Sequence, residues 1–434
     1  MKVVVLCGGK GTRLGLTDRP KPMVDLNGKP VLQHLVEMAK RNGFDDFVFL
    51  NGHLAEVIES YFGDGAALGV RITHVTESTP LGTAGAVREA RHLLTEPFAV
   101  LYGDIFSDID LADFAHFAKA HGGMGSVFVH PNDHPMDSDL VETTEGNRIR
   151  RFLPKPHAAG QMLPNLVSGA IYILDPSAID HVPAIGASDW GSQVLPAIAA
   201  SGAPLYAYLS LEYSKDIGTP ERLQKAAEDM SSGRVERMSR RSPKPAIFLD
   251  RDGVLNVDDR GGVHRPEDLV LLPGVGEAVR VINRSGRPAI CITNQPDLAK
   301  GKLGREDLRQ VFAALDTHLA ESGAYLDDTL FCPHHPESGW PGEVSELKVQ
   351  CGCRKPAPGL ILQAAKRHGL ALSQSWMVGD RYSDIAAAQA AGARGALLRT
   401  GAAGSDRATY PGVVPDLICD SLSEAVTAIL ATPA

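Results

Sequence analysis

The chain has 434 residues, room for two or three domains that each bury a core, and its 44% hydrophobic and 22% charged residues are ordinary for a globular protein. A formal net charge of −9 argues against a nonspecific nucleic-acid binder, which would carry a basic face. A few local cations or metals would still suffice for an anionic substrate. No apolar run approaches the ~18 residues that span a bilayer, and the opening run is too short for a secretory h-region. Six cysteines in so long a chain do not make a disulfide scaffold. The expectation is a cytoplasmic protein with neither membrane nor nucleic-acid partners; an oligomer is compatible with the sequence.

Residues 2–7 (KVVVLC) form a β-branched run followed at once by Gly8 and Gly9, the pattern of a buried parallel strand feeding a phosphate loop. Residues 31–41 carry apolar side chains at helical spacing, with Gly43 just beyond as a stop. Short apolar runs recur at 47–50, 70–74, 98–102, 126–130 and 170–174, many separated by helical stretches, so the first half reads as α/β. Between 224 and 245 the chain turns polar and basic, a helix tail followed by a linker. The program then restarts. Residues 246–250 predict a new strand running into an acidic loop, and helix and strand alternate again through 275–283, 289–293, 305–322, 360–368, 375–378 and 383–391. The expected architecture is α/β, two Rossmann-like domains in tandem: 1–232, a linker over 233–244, and 245–434.

In the first half the loop after the opening strand, Gly8-Gly9-Lys10-Gly11-Thr12-Arg13-Leu14, is followed by Pro20-Lys21-Pro22. Glycines let backbone N–H groups approach phosphate oxygens, while Arg13 and Lys21 add fixed positive charge. The loop lacks the Lys-Ser/Thr of a Walker sequence and the spacing of a dinucleotide fingerprint. GGxGTRL with PKP resembles the signature of the sugar nucleotidyltransferase family, and the resemblance continues to about residue 225. Leu81-Gly82-Thr83-Ala84-Gly85 looks like the family's base-reading loop, which implies roles for Gly82, Thr83 and Gly85. Tyr102-Gly103-Asp104 and the block beginning Asp216-Ile217-Gly218 resemble the two places where the family keeps metal-binding aspartates. Phe152-Leu153-Pro154-Lys155-Pro156 and Ser168-Gly169 resemble its sugar-phosphate lysine and sugar-binding turn. The resemblance implies that a sugar 1-phosphate attacks the α-phosphorus of a nucleoside triphosphate. In that reaction positioning and charge neutralisation do the catalysis. Arg13 would serve the β- and γ-phosphates, Lys21 the α-phosphate and Lys155 the sugar phosphate, with Asp104 and Asp216 on Mg²⁺. The chain departs from the family in a shortened 14–17 segment, in Pro154 where Glu is usual, and in Cys7 where Ala is usual.

In the second half Asp250-Arg251-Asp252-Gly253 follows a hydrophobic strand, so two carboxylates at i and i+2 can converge on one point. Alone this could be a calcium loop or a turn. Thr293-Asn294-Gln295, Arg354-Lys355-Pro356, Gly379-Asp380-Arg381 and Asp384 then follow in order, and together they resemble the haloacid dehalogenase family. The resemblance implies that Asp250 takes the phosphoryl group and that Asp252 works as acid and base. Thr293 and Lys355 would steady the group in transfer, with Asn294 and Arg354 beside the substrate. Mg²⁺ would sit on Asp250, Asp380 and the Asp252 carbonyl, with Asp384 as support.

Cys332-Pro333-His334 and Cys351-Gly352-Cys353 supply four soft ligands in two i,i+2 pairs, which suits a closed, structural Zn²⁺ site; His335 is an alternative to His334. Within the superfamily CPHHPE with CxCRKPxPG is the pattern of the heptose-bisphosphate and histidinol-phosphate phosphatases. With DRDGVLN and ITNQ it looks most like the D-glycero-D-manno-heptose 1,7-bisphosphate 7-phosphatases. Here Gln295-Pro296-Asp297 and Lys300-Gly301 replace that family's Asn-Gln-Ser-Gly continuation and its Arg-Gly.

Together the resemblances imply a bifunctional enzyme. The second half would remove the C7 phosphate of the heptose bisphosphate, and the first would transfer GMP from GTP to D-glycero-α-D-manno-heptose 1-phosphate. GTP and heptose phosphates are then the expected substrates, with Mg²⁺ at both sites and a structural Zn²⁺. One rival keeps both chemistries on other substrates, such as mannose 1-phosphate or another hexose 1-phosphate with another triphosphate, beside a histidinol-phosphate-like phosphatase. A second makes the first half a silent sensor of sugar nucleotides, against which the retention of Arg13, Lys21, Asp104, Lys155 and Asp216 speaks.

Overall fold

In a computed structural model the described residues are all but Lys10, Thr12, Arg13, Thr17, Asp259, Arg260, Pro433 and Ala434; the side chain of Glu145 is also outside the description. The chain divides into two compact units. The first comprises Met1–His130, Asp139–Lys155 and Leu166–Arg240; the second comprises Pro131–Ser138, Pro156–Asn165 and Arg241–Ala434.

The first unit is built on a nine-stranded sheet in which the strand Val3–Leu6 lies third from one edge. It pairs in parallel with Asp46–Asn51 on one side and Phe98–Tyr102 on the other. Val3 and Val5 pack with Leu32, Leu35 and Phe49, whereas Val4 points the other way, toward Leu50, Val87 and Trp190. A strand buried on both faces needs a continuous apolar run, and that is why the sequence shows no alternation here. The helix Val31–Arg41 supplies Leu32, Leu35 and Val36 to one of these cores. From Arg71–Thr76 through Asp46–Asn51 and Val3–Leu6 to Phe98–Tyr102, strand order reverses at Val3–Leu6. A reversal of this kind opens a crevice at the carboxyl ends of the strands, where ligands bind in open α/β sheets.

The second unit has a six-stranded, all-parallel sheet in the order Asp328–Cys332, Ala289–Asn294, Ile247–Leu249, Trp376–Gly379, Arg394–Leu398, Leu417–Cys419. In chain order this is the doubly wound 3-2-1-4-5-6 arrangement, with its reversal at Ile247–Leu249. Ile247 and Leu249 enter one core and Phe248 the other. The helices Val275–Ser285, Arg305–Ala320, Gly359–His368 and Tyr382–Ala391 cover the faces, close to the periodic stretches seen in the sequence. Two segments from the first half of the chain belong to this unit. Leu163 N–H donates to Thr317 Oγ1 at 2.9 Å, and Asn165 N–H to an Asp316 carboxylate oxygen at 3.0 Å.

Residues 233–244, which the sequence presents as a linker, are not uniformly extended. Arg234–Met238 is a helix, and its one branched apolar side chain, Val235, packs with Leu26, Val31 and Phe106. Polar neighbours on the exposed turns hide that single anchor from a composition reading.

Candidate active sites

At the end of the strand Val3–Leu6, Cys7 is fully buried and its N–H donates to Leu50 O at 2.8 Å. The chain then emerges as Gly8 and Gly9. Gly11 takes φ +67°, and Lys21 N–H returns to Gly9 O at 3.3 Å, which folds the loop back over the strand end. Arg13 and Thr12 lie outside the described residues. Lys21 is 7% exposed, and its Nζ donates to Asp104 Oδ2 at 2.6 Å and to Asp216 Oδ1 at 3.4 Å. The two aspartates are brought together by an antiparallel pair, in which Asp216 opposes Ile105 and Ile217 N–H donates to Asp104 O at 3.3 Å. Gly218 packs against this pair: a Cβ there would lie 2.9 Å from Asp216 Oδ1 and 3.0 Å from Lys21 Nζ. Arg222 also pairs with Asp216. Two carboxylates facing one ammonium at the mouth of a strand-end crevice fit a hard divalent cation, with oxygen ligands completed by a phosphate.

The remaining expected groups of this unit stand as follows. Gly82 has φ +71°, and a Cβ on it would meet Ser188 O at 2.4 Å. Thr83 O–H donates to Asp189 Oδ2 at 2.6 Å and accepts from Trp190 N–H at 2.9 Å and Tyr102 O–H at 3.3 Å. One donor and two acceptor sites are thereby filled, so the hydroxyl braces the loop and has nothing left for a base. A Cβ on Gly85 would press on Leu81, and one on Gly169 would lie 2.4 Å from Phe128 at an irregularity of its strand. Lys155 is exposed just past the strand Ile149–Leu153, with its N–H on Asp139 Oδ1 at 3.1 Å.

In the second unit Asp250, Asp380 and Asp384 are all buried, and one carboxylate oxygen from each lies within 4.8 Å of the others. Asp250 and Asp380 leave the ends of neighbouring strands, and Asp384 opens the helix Tyr382–Ala391. Lys355 Nζ sits 2.8 Å from Asp250 Oδ1 and 2.6 Å from Asp384 Oδ1, and donates to Ile292 O at 2.9 Å. Asn294 clamps the same lysine by its backbone: its amide donates to Lys355 O at 3.2 Å and accepts from Lys355 N–H at 3.1 Å. It thereby positions Lys355, and it also lines the cavity over Asp250. Thr293 Oγ1 accepts from Gln295 Nε2 at 2.9 Å. One lysine against three buried carboxylates leaves negative charge uncompensated, and Asp380 Oδ1 is buried without a hydrogen-bond partner among the described residues. This cluster fits a divalent cation.

Burial, aided by Asp384 and Asp380 and opposed by Lys355, pushes Asp250 up to about 7; burial and Asp384 push Asp380 to about 6. A carboxyl raised on folding adds stability below its ordinary value near ~4 and loses it as pH rises through the raised value. In metal-free protein that loss falls between about pH 4 and 7. Loading a cation must release these protons, so Mg²⁺ affinity is expected to weaken from pH 7.5 to 5.5 by up to about tenfold per unit and proton. Calorimetric titration checks this; a flat affinity over that range contradicts it.

Asp252 behaves oppositely. Burial raises it, but the wholly buried Arg251 guanidinium, donating at 2.8 Å to both oxygens, with Asn256 and Gln295, holds it below the usual carboxylate range. Arg251, Asn256 and Gln295, all inside the DRDGVLN and ITNQ motifs, support Asp252, a role the motifs alone did not reveal. A cavity of about 520 Å³ opens over Asp250, Asp252, Thr293, Arg354 and Lys355. The substituted positions Asp297 and Lys300 line it too. Asp297 lies 2.7 Å from His264 Nε2 and 3.4 Å from Lys300 Nζ, which also stands 5.4 Å over the Trp340 ring.

Cys332, His334, Cys351 and Cys353 gather as expected. Cys353 Sγ is 3.3 Å from Cys332 Sγ, 3.2 Å from Cys351 Sγ and 3.3 Å from His334 Nδ1. No disulfide joins them. His335 is turned instead toward Trp340 and the Glu337 carbonyl, so the alternative ligand drops out. Arg354 Nη1 donates to His334 O at 3.3 Å, which couples the cluster to the cavity wall.

The two sites define a pair of phosphate-handling α/β enzymes on one chain. Residues 2–233 match the family model described as nucleotidyl transferase, and residues 352–425 match that described as HAD-hydrolase-like. A D-glycero-beta-D-manno-heptose-1,7-bisphosphate 7-phosphatase of Vibrio cholerae is 41% identical over 159 residues, 36% of this chain and 83% of that protein. A mannose-1-phosphate guanyltransferase beta-A of Xenopus laevis is 35% identical over 228 residues, 51% of this chain and 62% of that protein. The crystal structure of HddC from Yersinia pseudotuberculosis is similar with TM-score 0.46 and 25% identity, covering 53% of this chain and 99% of that one. The chain belongs to the nucleotidyl transferase family in its first half and to the heptose-bisphosphate 7-phosphatase family in its second. Among the described residues no helix is long and apolar enough to cross a membrane.

Proposed function

We propose that the chain removes the C7 phosphate of D-glycero-D-manno-heptose 1,7-bisphosphate and then transfers GMP from GTP to the resulting heptose 1-phosphate, releasing pyrophosphate. The observation that carries this reading is the clustering, at each sheet's strand-order reversal, of a buried lysine against sequence-distant aspartates: Lys355 with Asp250 and Asp384, and Lys21 with Asp104 and Asp216. Membership of both families supports it.

In the phosphatase unit Asp250 attacks phosphorus and the bond to the sugar oxygen breaks, while Asp252 gives that oxygen a proton. Arrival of phosphate beside Asp252 offsets Arg251 and raises its affinity for the proton it must donate. Asp252 then takes a proton from water as that water cleaves the aspartyl phosphate. Lys355 and Thr293 hold the phosphoryl oxygens, and Arg354 faces the rest of the substrate. Asp250, Asp380, Asp384 and the Asp252 carbonyl would hold Mg²⁺, which would supply charge neutralisation. Cys332, His334, Cys351 and Cys353 would hold Zn²⁺, which would order the loop that ends in Arg354 and Lys355.

In the transferase unit Lys21 steadies the α-phosphate, Arg13 the β- and γ-phosphates and Lys155 the sugar phosphate, with Asp104 and Asp216 on a second Mg²⁺ site. The phosphatase relatives are named for the β anomer, whereas the resemblance of the first half implied an α-configured product. The test is therefore pyrophosphate release from a panel of both heptose 1-phosphate anomers, mannose 1-phosphate and glucose 1-phosphate, each with GTP, UTP and ATP. A heptose 1-phosphate with GTP is expected to lead the panel. Preference for a hexose 1-phosphate would replace the substrate, and silence under every pair would return the first half to a sensor.

A further inference from the structure

Residues 156–165 run between Lys155 and the Ser168-Gly169 turn, the two sugar-side groups expected of the transferase, yet they belong to the second unit. The helix Arg305–Ala320 of that unit commits Leu308, Val311, Leu315 and Leu319 to its own cores. Asp316 and Thr317 fall on the opposite side of the helix, with Ala313 and Ala320 beside them at helical spacing. Residues 163–165 occupy that side. Pro164 has no N–H, so its neighbours supply the donors, Leu163 to Thr317 Oγ1 and Asn165 to the Asp316 carboxylate. Thr317 O–H donates in turn to Ala313 O at 2.8 Å, which leaves the oxygen's lone pairs for the segment. Leu163 and Asn165 are both buried. The Asn165 amide exchanges two hydrogen bonds with the Asn132 backbone, at 2.6 and 3.1 Å, and His157 Nε2 lies 2.8 Å from Ser138 O. Residues 131–138 and 156–165 thus form one strap. The residue that follows its first half, Asp139, accepts Lys155 N–H on Oδ1 at 3.1 Å and Ser168 N–H on its carbonyl at 3.2 Å.

We propose that this strap, seated on Asp316 and Thr317, positions Lys155 and the Ser168-Gly169 turn for the sugar 1-phosphate. Asp316 and Thr317 are then positioning residues of nucleotidyl transfer, although they lie in the phosphatase half of the sequence. The inference rests on the nucleotidyl-transfer reading of the first unit. Two connections of eight and ten residues, left without an anchor, would sample many conformations, and ordering them would weaken sugar binding. Held on a helix, they keep Asp139, Lys155 and Ser168 in register before the sugar arrives. The triphosphate side, built on Lys21, Asp104 and Asp216, draws nothing from the strap. What the transfer site uses is the fold of the helix and not the chemistry of the phosphatase, so Asp250→Asn leaves the strap in place.

The test compares the full chain with Asp316→Ala, Thr317→Val and Asp316→Asn, the last of which keeps an oxygen to accept the Asn165 N–H. KM for heptose 1-phosphate and for GTP is measured by pyrophosphate release. Phosphate release from the bisphosphate reports folding, and hydrogen exchange follows residues 155–169. In Asp316→Ala and Thr317→Val the sugar KM is expected to rise about 10-fold, the worth of one hydrogen bond, with faster exchange over 155–169. KM for GTP and phosphate release should stay within about 2-fold, and Asp316→Asn should restore most of the sugar KM. If Asp316→Ala loses phosphate release, the nearly isosteric Thr317→Val decides. An unchanged sugar KM in the variants that fold overturns the proposal, as does an equal rise in KM for GTP. Should wild type release no pyrophosphate with any sugar and triphosphate, the transferase reading fails. Exchange then decides the strap alone: faster exchange over 155–169 in Asp316→Ala, reversed in Asp316→Asn, upholds it, and unchanged exchange overturns it.

Discussion

Asp250→Asn is expected to abolish phosphate release, by on the order of 10⁴-fold or more, while leaving nucleotidyl transfer to a supplied heptose 1-phosphate unchanged. The carboxamide keeps the shape of the side chain but neither attacks phosphorus nor balances Lys355, which sits 2.8 Å from Asp250 and 2.6 Å from Asp384. Folding should survive, because Asp384 still pairs the buried lysine. Asp104→Ala is expected to do the opposite, stopping transfer and sparing phosphate release, because Asp104 is the shorter of Lys21's two ion pairs, at 2.6 Å. Parallel assays of phosphate and pyrophosphate on the two variants check both halves. Loss of both activities in either variant would show the two chemistries to be energetically linked, contrary to two self-sufficient sites.

The second large effect is expected from the cysteine cluster. Three thiols and one imidazole packed 3.2–3.6 Å apart would repel as thiolates without a cation, and four protein ligands leave no open position for chemistry. One mole of zinc per chain is therefore expected by elemental analysis. Cys353 immediately precedes Arg354 and Lys355, so losing the anchor shifts the lysine that neutralises Asp250. Cys353→Ser, or removal of zinc by a chelator, should lower phosphate release on the order of 10²-fold, the cost of a displacement of about 1 Å at a reacting centre. Nucleotidyl transfer should be unaffected. Zinc-free protein with full phosphatase activity would remove the cluster from the account.

Much of both sites was legible because parallel strands deliver their carboxyl ends to one edge. Asp250 and Asp380 are far apart in the chain, yet each closes a short apolar run, and the ordered motifs told which runs to join. The Cys-x-His and Cys-x-Cys pairs were legible for the same reason: ligand spacing is a local property, and two local pairs need only one loop to meet. What could not be read depends on partners distant in sequence and carrying no motif. Thr83 was expected to face the base, but Asp189 and Trp190, more than a hundred residues away, take up its hydroxyl. Asn294, expected beside the substrate, lines the cavity, but that it also holds the Lys355 backbone was not legible. The inclusion of 131–138 and 156–165 in the second unit was equally invisible, since chain order does not say which core a loop joins.

On the proposed reading, two phosphate chemistries on one chain act in succession on one sugar. It is tested most directly by incubating the full chain with D-glycero-D-manno-heptose 1,7-bisphosphate, GTP and Mg²⁺, and following the products by mass. Inorganic phosphate and heptose 1-phosphate are expected first, then GDP-heptose with an equal amount of pyrophosphate. A heptose 7-phosphate, or a GDP-sugar that still carries the C7 phosphate, would contradict it.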